Sequence, residues 1–520
     1  MDDTAMVVSA VMIPTSPDPA STLRQPAPQP DRLDASAHPL LQALLSGFLP
    51  VPSLDTATPV PLAQGHPALL QMKEDAAALL ARVGLPKKSH EEWRYVNVNA
   101  LFPTLTEYTT DLEANRPSSD TAEKLEAFVN THSIAKTPES VYRLVFVNNC
   151  FSAPLSVLPE ALPGEKPSFQ CLPLSLANPT QREQALHFAK QTFSSDHPLG
   201  LMNLLSLNEA AWIHLDANAT ADRPIELMFI STDGPQTLPL QTPLHQPRIL
   251  IEAKTGAKAA IFTHWISTHP AEDNSLTNAV VDLALAPHAQ LTFTQVLKGG
   301  PNCRQMVSHQ LHLQEHSQLN SFSLCLGAQI QRYEASANLS APQAICHLSG
   351  LTILHGHSEA HQSVSIQHRA ANSHSTQTFK TILHEQSRAE FSGQIHVAPN
   401  AIQTDARQLS NTLLLSPEAQ IYNRPWLRID ADDVSCSHGA TVGQLAEDAL
   451  FYLTSRGLGE EAARCLLTYA FAESMLINLD PLDFKQALEQ RVLSALGQSQ
   501  SPDYCFMSCD RITPSASLCR

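Results

Sequence analysis

Cys436 and His438 lie two residues apart in the sequence VSCSHGATVGQ, which spans residues 434–444. An extended backbone would place both side chains on one face. The pattern from Thr441 to Gln444 is typical of a helix capping box, and the N-terminus of a helix lowers the pKa of a nearby thiol. A thiolate beside an imidazole can bind a soft metal or an iron–sulfur cluster, or can act as a nucleophile with its base. As bare residues, the pair is also explained by a buried structural role.

The region between residues 347 and 396 contains eight of the 23 histidines. His355 and His357 would point to the same face of a strand, as the metal-binding pairs of cupin-like barrels do, and imidazole suits Zn, Cu, Fe and Ni. His361 and His368 are available as further ligands. The simpler interpretation is that these histidines face solvent on a solenoid and stack between its coils.

Asp430, Asp432 and Asp433 follow an alternating apolar run. Paired carboxylates can serve glycoside hydrolysis or bind calcium. A turn between a strand and the next element explains the cluster too, and we favour it. Together with the cluster His355–His368, these aspartates leave open an alternative function as a stand-alone metal- or carbohydrate-active β-helix enzyme.

Short alternating apolar runs replace helical spacing from about residue 245, and they predict strands. A small residue followed by such a run recurs at steps of 32, 28, 72 and 30 residues, at Ala257, Ala289, Ser317, Ala389 and Ala419. An approximate period near 30 without intervening helices predicts a β-solenoid. A β-sandwich or jelly roll is the alternative.

Helical periodicity appears on both sides of these strands, at residues 66–83 and again in three segments after residue 440. We therefore predict a disordered extension (1–60), a mostly helical domain (61–200), a β-solenoid core (201–435), a helical domain (436–497) and a flexible tail (498–520) that contains Cys505, Cys509 and Cys519. The irregular spacing of these three cysteines makes a metal site in the tail a weak hypothesis.

The composition excludes several classes of function. The chain has 520 residues, with 33 basic and 50 acidic side chains and a net charge of −17, so it would be repelled by nucleic acid. It contains no GxxxxGK[ST] phosphate-binding loop and no apolar run near the ~18 residues that a membrane helix requires. The scattered cysteines and the acidic start Met1–Asp3 favour the reducing cytoplasm over secretion.

Residues 434–457 (VSCSHGATVGQLAEDALFYLTSRG) resemble the signature of the SufB/SufD family of iron–sulfur cluster assembly proteins. Further stretches agree with this resemblance, namely residues 391–397 (FSGQIHV), 403–408 (QTDARQ), 413–416 (LLLS) and Glu91–Tyr95 (EEWRY), the last of which is typical of the SufD branch. The similarity is dense from about residue 345 to 480, moderate at 85–102 and thin between them.

The resemblance implies a mainly β fold with a right-handed parallel β-helix (β-solenoid) core, flanked by N-terminal and C-terminal α-helical domains. It also implies a scaffold subunit that is not itself an enzyme. Such a subunit pairs with a SufB-like paralogue, and each paralogue binds a copy of a SufC-like ABC-type ATPase through its C-terminal helices. A transient Fe–S cluster would form at the paralogue interface, and the ATPase would supply the missing nucleotide site.

The resemblance also carries over to particular residues. His438 matches a histidine proposed as an iron or cluster ligand at that interface, and Cys436 matches its neighbouring cysteine. The paralogue would supply another thiolate, so this chain alone should hold no stable cofactor. The chain departs from the histidine pattern of the family at residues 359–363. In this region of the sequence, only His368, five residues later, aligns well with that pattern. The first turn of the ATPase-docking helices is matched by Gln444, Phe451, Arg456 and Gly457.

Overall fold

The alternating runs form strands, and the periodic segments form helices on both sides of them. The computed structural model describes residues 40, 44, 66–103, 107–109, 119–159, 168–192, 197–232, 241–477 and 479–497. Within these ranges the helices are α1 (Pro67–Val83), α2 (Val98–Leu101), α3 (Ser119–His132), α4 (Pro179–Thr192), α5 (Pro198–Leu205), α6 (Glu447–Ser455), α7 (Glu460–Glu473) and α8 (Leu482–Gly497).

The strands are short, and most contain about ten residues. They are β1 (Glu107–Thr109), β2 (Tyr142–Val147), β3 (Cys150–Phe151), β4 (Phe169–Pro173), β5 (Ala211–Leu215), β6 (Ile225–Ser231), β7 (Gln241–His245), β8 (Arg248–Ala253), β9 (Lys258–Ser267), β10 (Leu276–Leu285), β11 (Gln290–Leu297), β12 (Arg304–Leu313), β13 (Gln318–Cys325), β14 (Ile330–Leu339), β15 (Ile345–Leu354), β16 (Glu359–His368), β17 (His374–Leu383), β18 (Arg388–Val397), β19 (Thr404–Leu414), β20 (Gln420–Ile429) and β21 (Val434–Gly443).

These strands form two sheets that share the coils of a parallel solenoid. Sheet I follows the order β20-β18-β16-β14-β12-β10-β8-β5-β4, and sheet II follows β21-β19-β17-β15-β13-β11-β9-β6-β2-β3. Each coil gives one strand to each sheet, and successive coils pair in parallel. The prediction of a parallel β-helix with flanking helices is therefore confirmed, with about seven coils.

The corner before each sheet II strand explains the repeat seen in the sequence. A residue with positive φ stands there in successive coils, and its N–H donates to a carbonyl of the next coil, at Gly256, His288, His316, Gln343, Asn372 and Gln403. A small buried residue follows the first three of them, at Ala257, Ala289 and Ser317. The step of 72 residues runs from Ser317, which precedes a strand of sheet II, to Ala389, which lies in β18 of sheet I. This step is longer because it also passes from one sheet to the other.

Among the described residues, the three largest apolar cores connect the sheets and the helices. The first lies between the sheets, with aliphatic and aromatic side chains such as Leu291, Val364 and Phe391. In the second, α1 and α5 cover the outer face of sheet I. In the third, α7 and α8 cover the outer face of sheet II, where Phe484 packs edge-on against Phe262 at 5.0 Å. Because both outer faces are covered, the strands are buried on two sides through the middle of the solenoid.

The boundary between the solenoid and the C-terminal helices differs from the expectation. The segment Thr441–Gln444 is not a capping box, because β21 continues to Gly443 and α6 begins only at Glu447. The parallel register with β19 holds these residues extended, which overrides their local preference for a helix start. The core therefore ends at Gly443 rather than at residue 435.

The predicted extension (1–60) and tail (498–520), with Cys505, Cys509 and Cys519, lie outside the described residues. Leu40 and Leu44 are exceptions, since both are helical and buried in the second core. Among the helices that the structure describes, none combines the length and apolarity needed to cross a membrane.

Candidate functional site

Cys436 and His438 lie on β21, the last strand of sheet II. Cys436 is in register with Ala406, and His438 is in register with Gln408 of β19. Side chains two residues apart on a strand share a face and are separated by about 7 Å. Ala406 and Gln408 are buried inside the solenoid, so the thiol and the imidazole are directed to its interior side, at its final coil. The expectation that both residues share one face is therefore met.

The thiol of Cys436 is half-buried. It packs against the small apolar cluster of Ile395, Val397, Ala401 and Ala406. Burial raises the pKa of the Cys436 thiol, although a backbone hydrogen bond at Ala406 partly offsets this effect. The expected lowering of this pKa by a helix N-terminus was wrong, because β21 separates the thiol from α6.

The imidazole of His438 is exposed above a column of polar side chains. Directly below it, Gln408 is only 3% exposed, and its Nε2 donates to Gln377 Oε1 at 2.5 Å. The Oε1 atom of Gln408 is buried and has no hydrogen-bond partner among the described residues. Gly393 faces this pair, and a Cβ there would lie 1.8 Å from Gln408 Nε2. The absence of a side chain at residue 393 thus makes room for the glutamine pair.

The column of glutamines was missed by the sequence analysis. Gln377, Gln408 and His438 recur at almost the coil period, which is a signal that could have revealed them. What the sequence did not reveal is their inward direction, because the corner of each coil sets which residues of a strand face inside.

The two donors at Cys436 and His438 do not complete a metal site. In the described part of the chain, no three side chains of His, Cys, Asp or Glu come together closely enough to hold a metal ion. A metal ion or an iron–sulfur cluster at this end would need further ligands from another molecule. This arrangement suits a site shared between two proteins.

The histidines at residues 355–368 do not converge on one point. His355 and His357 lie in the turn after β15 and not on a strand, so the predicted same-face pair is wrong. The His355 ring instead stacks on His384 of the next coil, with ring centroids 4.5 Å apart. His361 hydrogen-bonds the carboxylate of Glu390, and His368 is buried between two serine hydroxyls. The simpler interpretation, that these histidines stack between coils, is therefore correct for His355.

The aspartates at 430–433 form a turn, as we favoured. The Asp430 carboxylate accepts hydrogen bonds from His396 and Arg428, both at 3.0 Å, and these contacts lower its pKa. The backbone carbonyl of Asp433 accepts a hydrogen bond from Gln403 N. The carboxylate of Asp430 is thus hydrogen-bonded to two neighbouring side chains on the surface.

The residues expected in the first turn of the docking helices occupy other positions. Gln444 precedes α6, Phe451 lies in its middle, and Arg456 with Gly457 ends it, the last with φ of 96°. No residue of α6 is buried, and the Phe451 ring is 74% exposed. The Arg456 guanidinium lies 5.1 Å from the centroid of the exposed Tyr452 ring. This helix presents aromatic surface to the solvent.

Comparisons with known proteins show similarity to iron–sulfur cluster assembly proteins. Residues 237–471 match the family model described as SUF system FeS cluster assembly, SufBD core domain. The chain is 29% identical to an iron–sulfur cluster assembly SufBD family protein of Synechocystis, over 82% of this chain and 90% of the relative. It is 28% identical to the iron–sulfur cluster assembly protein SufD of Escherichia coli, over 81% and 90%. It is 24% identical to the chloroplastic protein ABCI7 of Arabidopsis thaliana, over 78% and 82%.

Proposed function

We propose that this chain, whose sequence is similar to the SufBD core family of iron–sulfur cluster assembly proteins and to SufD, is a SufD-like scaffold subunit of a Suf complex. In this complex it pairs with a SufB-like paralogue and binds a SufC-like ATPase. The observation that carries the proposal is the placement of Cys436 and His438 on the last strand of an open-ended solenoid. The chain acts without catalysing a reaction itself, and it works in the cytoplasm.

The last coil supports pairing with a paralogue. Within the described residues, β20 and β21 each pair with another strand along one edge only. An unpaired strand edge is a template for another strand, and proteins usually cover it. The side chains of Trp426 and Val442 on these strands are 50% and 52% exposed. A paralogue built on the same solenoid would cover these edges and the apolar side chains at once.

The same end supports a role for His438 in handling the cluster. A nascent cluster is the cargo of the complex, and its iron would be held by His438 together with thiolates of the paralogue. Cys436 is a weaker candidate, because its thiol is half-buried and burial raises its pKa. We expect the chain alone to hold no stable cluster, since among the described residues no third His, Cys, Asp or Glu side chain joins these two to complete a metal site.

The surface of α6 supports ATPase docking. Exposed aromatic side chains are common anchors of protein interfaces, and Phe451 and Tyr452 stand on a helix that buries nothing of its own. The lack of a phosphate-binding loop in this sequence is consistent with a nucleotide site in the partner. We assign this helix and the turn at Arg456 and Gly457 to the ATPase.

Anaerobic co-expression tests the proposal. The tagged chain is produced with its SufB-like and SufC-like partners and purified in one step. A stoichiometric complex that contains the ATPase is expected. A chain that emerges alone with a tightly bound metal would contradict the proposal.

The site is tested in the same complex. His438→Ala should leave the complex intact and abolish cluster assembly, as followed by visible absorbance and iron content. Ser437→Ala is the matched control, since Ser437 is exposed on the opposite face of the same strand. Full cluster assembly by the His438→Ala complex would refute the assignment of this site.

A further inference from the structure

The segment Glu91–Tyr95 crosses the outer face of sheet I, and its central residue is buried. Trp93 is 4% exposed, and the Arg332 guanidinium of β14 lies 3.8 Å from the centroid of its ring. Arg332 is paired with Glu334. Burial alone would raise the pKa of Glu334, but the charges of Arg332 and His197 lower it to about 2. The ion pair is therefore charged at neutral pH, and it holds the guanidinium against the indole.

The other parts of the segment reach β20, the last strand of sheet I. Arg424 of β20 donates from Nη1 to Glu91 Oε1 at 2.7 Å and from Nη2 to Glu390 Oε1 of β18 at 2.9 Å. The Tyr95 ring stacks on Tyr422 of β20, with centroids 4.4 Å apart and planes 19° from parallel. The guanidinium of Arg424 thus joins the N-terminal segment to the last two strands of the sheet.

Strand β20 has limited support elsewhere: Ile421 and Leu427 pack against two small apolar clusters, and Asn423 Oδ1 accepts a hydrogen bond from Ser410 Oγ at 2.9 Å. Within the described residues it hydrogen-bonds as a strand only with β18, and none of its side chains is buried. By contrast, β18 has neighbours on both edges and a largely buried set of side chains. End strands without a buried face open more easily than central ones. Contacts made by the outer face of β20 therefore add to its pairing with β18 in holding the strand in place.

We infer that Glu91, Trp93 and Tyr95 form a clamp that fixes β20 for docking of the paralogue. Trp93 is the anchor on β14, and Glu91 with Tyr95 hold Arg424 and Tyr422. An edge that is already ordered loses less entropy when another chain adds to it, so the clamp strengthens binding without touching the partner. This inference rests on the proposed pairing at the last coil. It assigns a positioning role to a segment more than 300 residues away in sequence, since Glu91 and Arg424 are 333 residues apart.

Hydrogen exchange of the full chain without partners tests the clamp itself. In the double variant Glu91→Ala/Tyr95→Ala, amides of β20 should exchange about tenfold faster, because a ring stack and a charge-assisted hydrogen bond are lost together. Amides of β14 should not change, since Trp93 remains. Glu92→Ala is the matched control, because Glu92 is exposed and makes no hydrogen bond or ion pair among the described residues. Unchanged exchange in β20 would overturn the clamp.

Binding of the SufB-like paralogue tests whether the clamp helps docking. The double variant should bind about tenfold more weakly with little change in melting temperature, and Tyr95→Phe alone should keep wild-type affinity because the ring stack survives. Faster exchange with unchanged affinity would overturn the docking role of the clamp. If the wild-type chain does not bind the paralogue at all, the proposed function fails, while the exchange experiment still decides whether the clamp exists.

Discussion

Gln408 lies directly below His438 in the parallel register of β19 and β21, and its Nε2 is held by Gln377. This leaves the buried Oε1 atom of Gln408 available to the imidazole above it. A histidine that binds a metal commonly donates its second ring N–H to such an acceptor, which orients the ring. In the proposed cluster site, the glutamine pair would therefore offer His438 an acceptor on the interior side of the solenoid.

Gln408→Leu should impair cluster assembly while leaving the complex with its partners intact. The imidazole would lose the acceptor that Gln408 offers it in the proposed site, and loss of such a contact typically lowers metal affinity by about tenfold or more. Cluster assembly in the anaerobic complex is the measurement. Gln420→Leu, at an exposed position of sheet I, is the control. Equal assembly by both variants would argue against a role for Gln408.

Gly393→Ala should destabilise the last coils. The new Cβ would lie 1.8 Å from Gln408 Nε2 and 2.8 Å from Gln377 Oε1, so the glutamine pair would have to move apart. Overpacking of this kind typically lowers the free energy of unfolding by about 1–3 kcal/mol. Denaturant unfolding measures it. Gly443→Ala is the control, because nothing lies within 4 Å of its Cβ position, and an equal effect of both changes would contradict the steric explanation.

A buried charge network predicts loss of stability in acid. Glu226 accepts hydrogen bonds from Arg143 and His264, at 2.7 and 2.8 Å. Burial alone would raise the pKa of Glu226, but the contacts with His264 and Arg143 lower it to about 2. Burial lowers the pKa of His264 to about 4, although Glu226 opposes this shift. At neutral pH the pair is therefore a carboxylate that accepts from a neutral imidazole.

Both groups bind protons more weakly in the folded chain than in the unfolded chain, whose pKa values are about 4.3 for Glu and 6.5 for His. Their contribution to stability is fully present above about pH 6.5. The His264 part is lost as the pH falls from about 6.5 through 4, and the Glu226 part as it falls from about 4.3 through 2, because the unfolded chain takes up protons first. Denaturant unfolding between pH 7 and pH 4 should show this decrease. A flat profile would contradict the network, and His264→Gln should reduce the slope between pH 6.5 and pH 4.

Phe451→Ala should weaken ATPase binding without lowering stability. Its ring is 74% exposed on a helix that buries no residue, so removing it costs the isolated chain little. Loss of an aromatic anchor from an interface typically costs about 2 kcal/mol or more, which is roughly 30-fold in affinity. Titration with the ATPase is the measurement. Leu482→Ala, at an exposed position at the start of α8, is the control. An equal loss of affinity in both variants would contradict the assignment of α6 as the docking surface.

The local errors have a common physical cause. The sequence TVGQ satisfies the pattern of a capping box, yet Thr441 and Gly443 belong to β21, because pairing with β19 supplies their backbone hydrogen bonds. His355 and His357 alternate like strand residues, but the coil turns between them at Gly356, whose φ is 62°. Pairing with the neighbouring strand sets the backbone conformation in the first case, and the corner of a coil sets it in the second.

The repeat and the resemblance to iron–sulfur cluster assembly proteins could be read from the amino-acid sequence. A small residue at each corner and an apolar alternation after it are local patterns that recur at the coil period, so they identify a solenoid and the segment of Cys436 and His438. The side chains that meet across coils and domains became apparent from the three-dimensional packing. Gln408 lies below His438, and Glu91 meets Arg424, because the stacking register and the packing of the N-terminal segment on sheet I bring together residues that no local pattern relates.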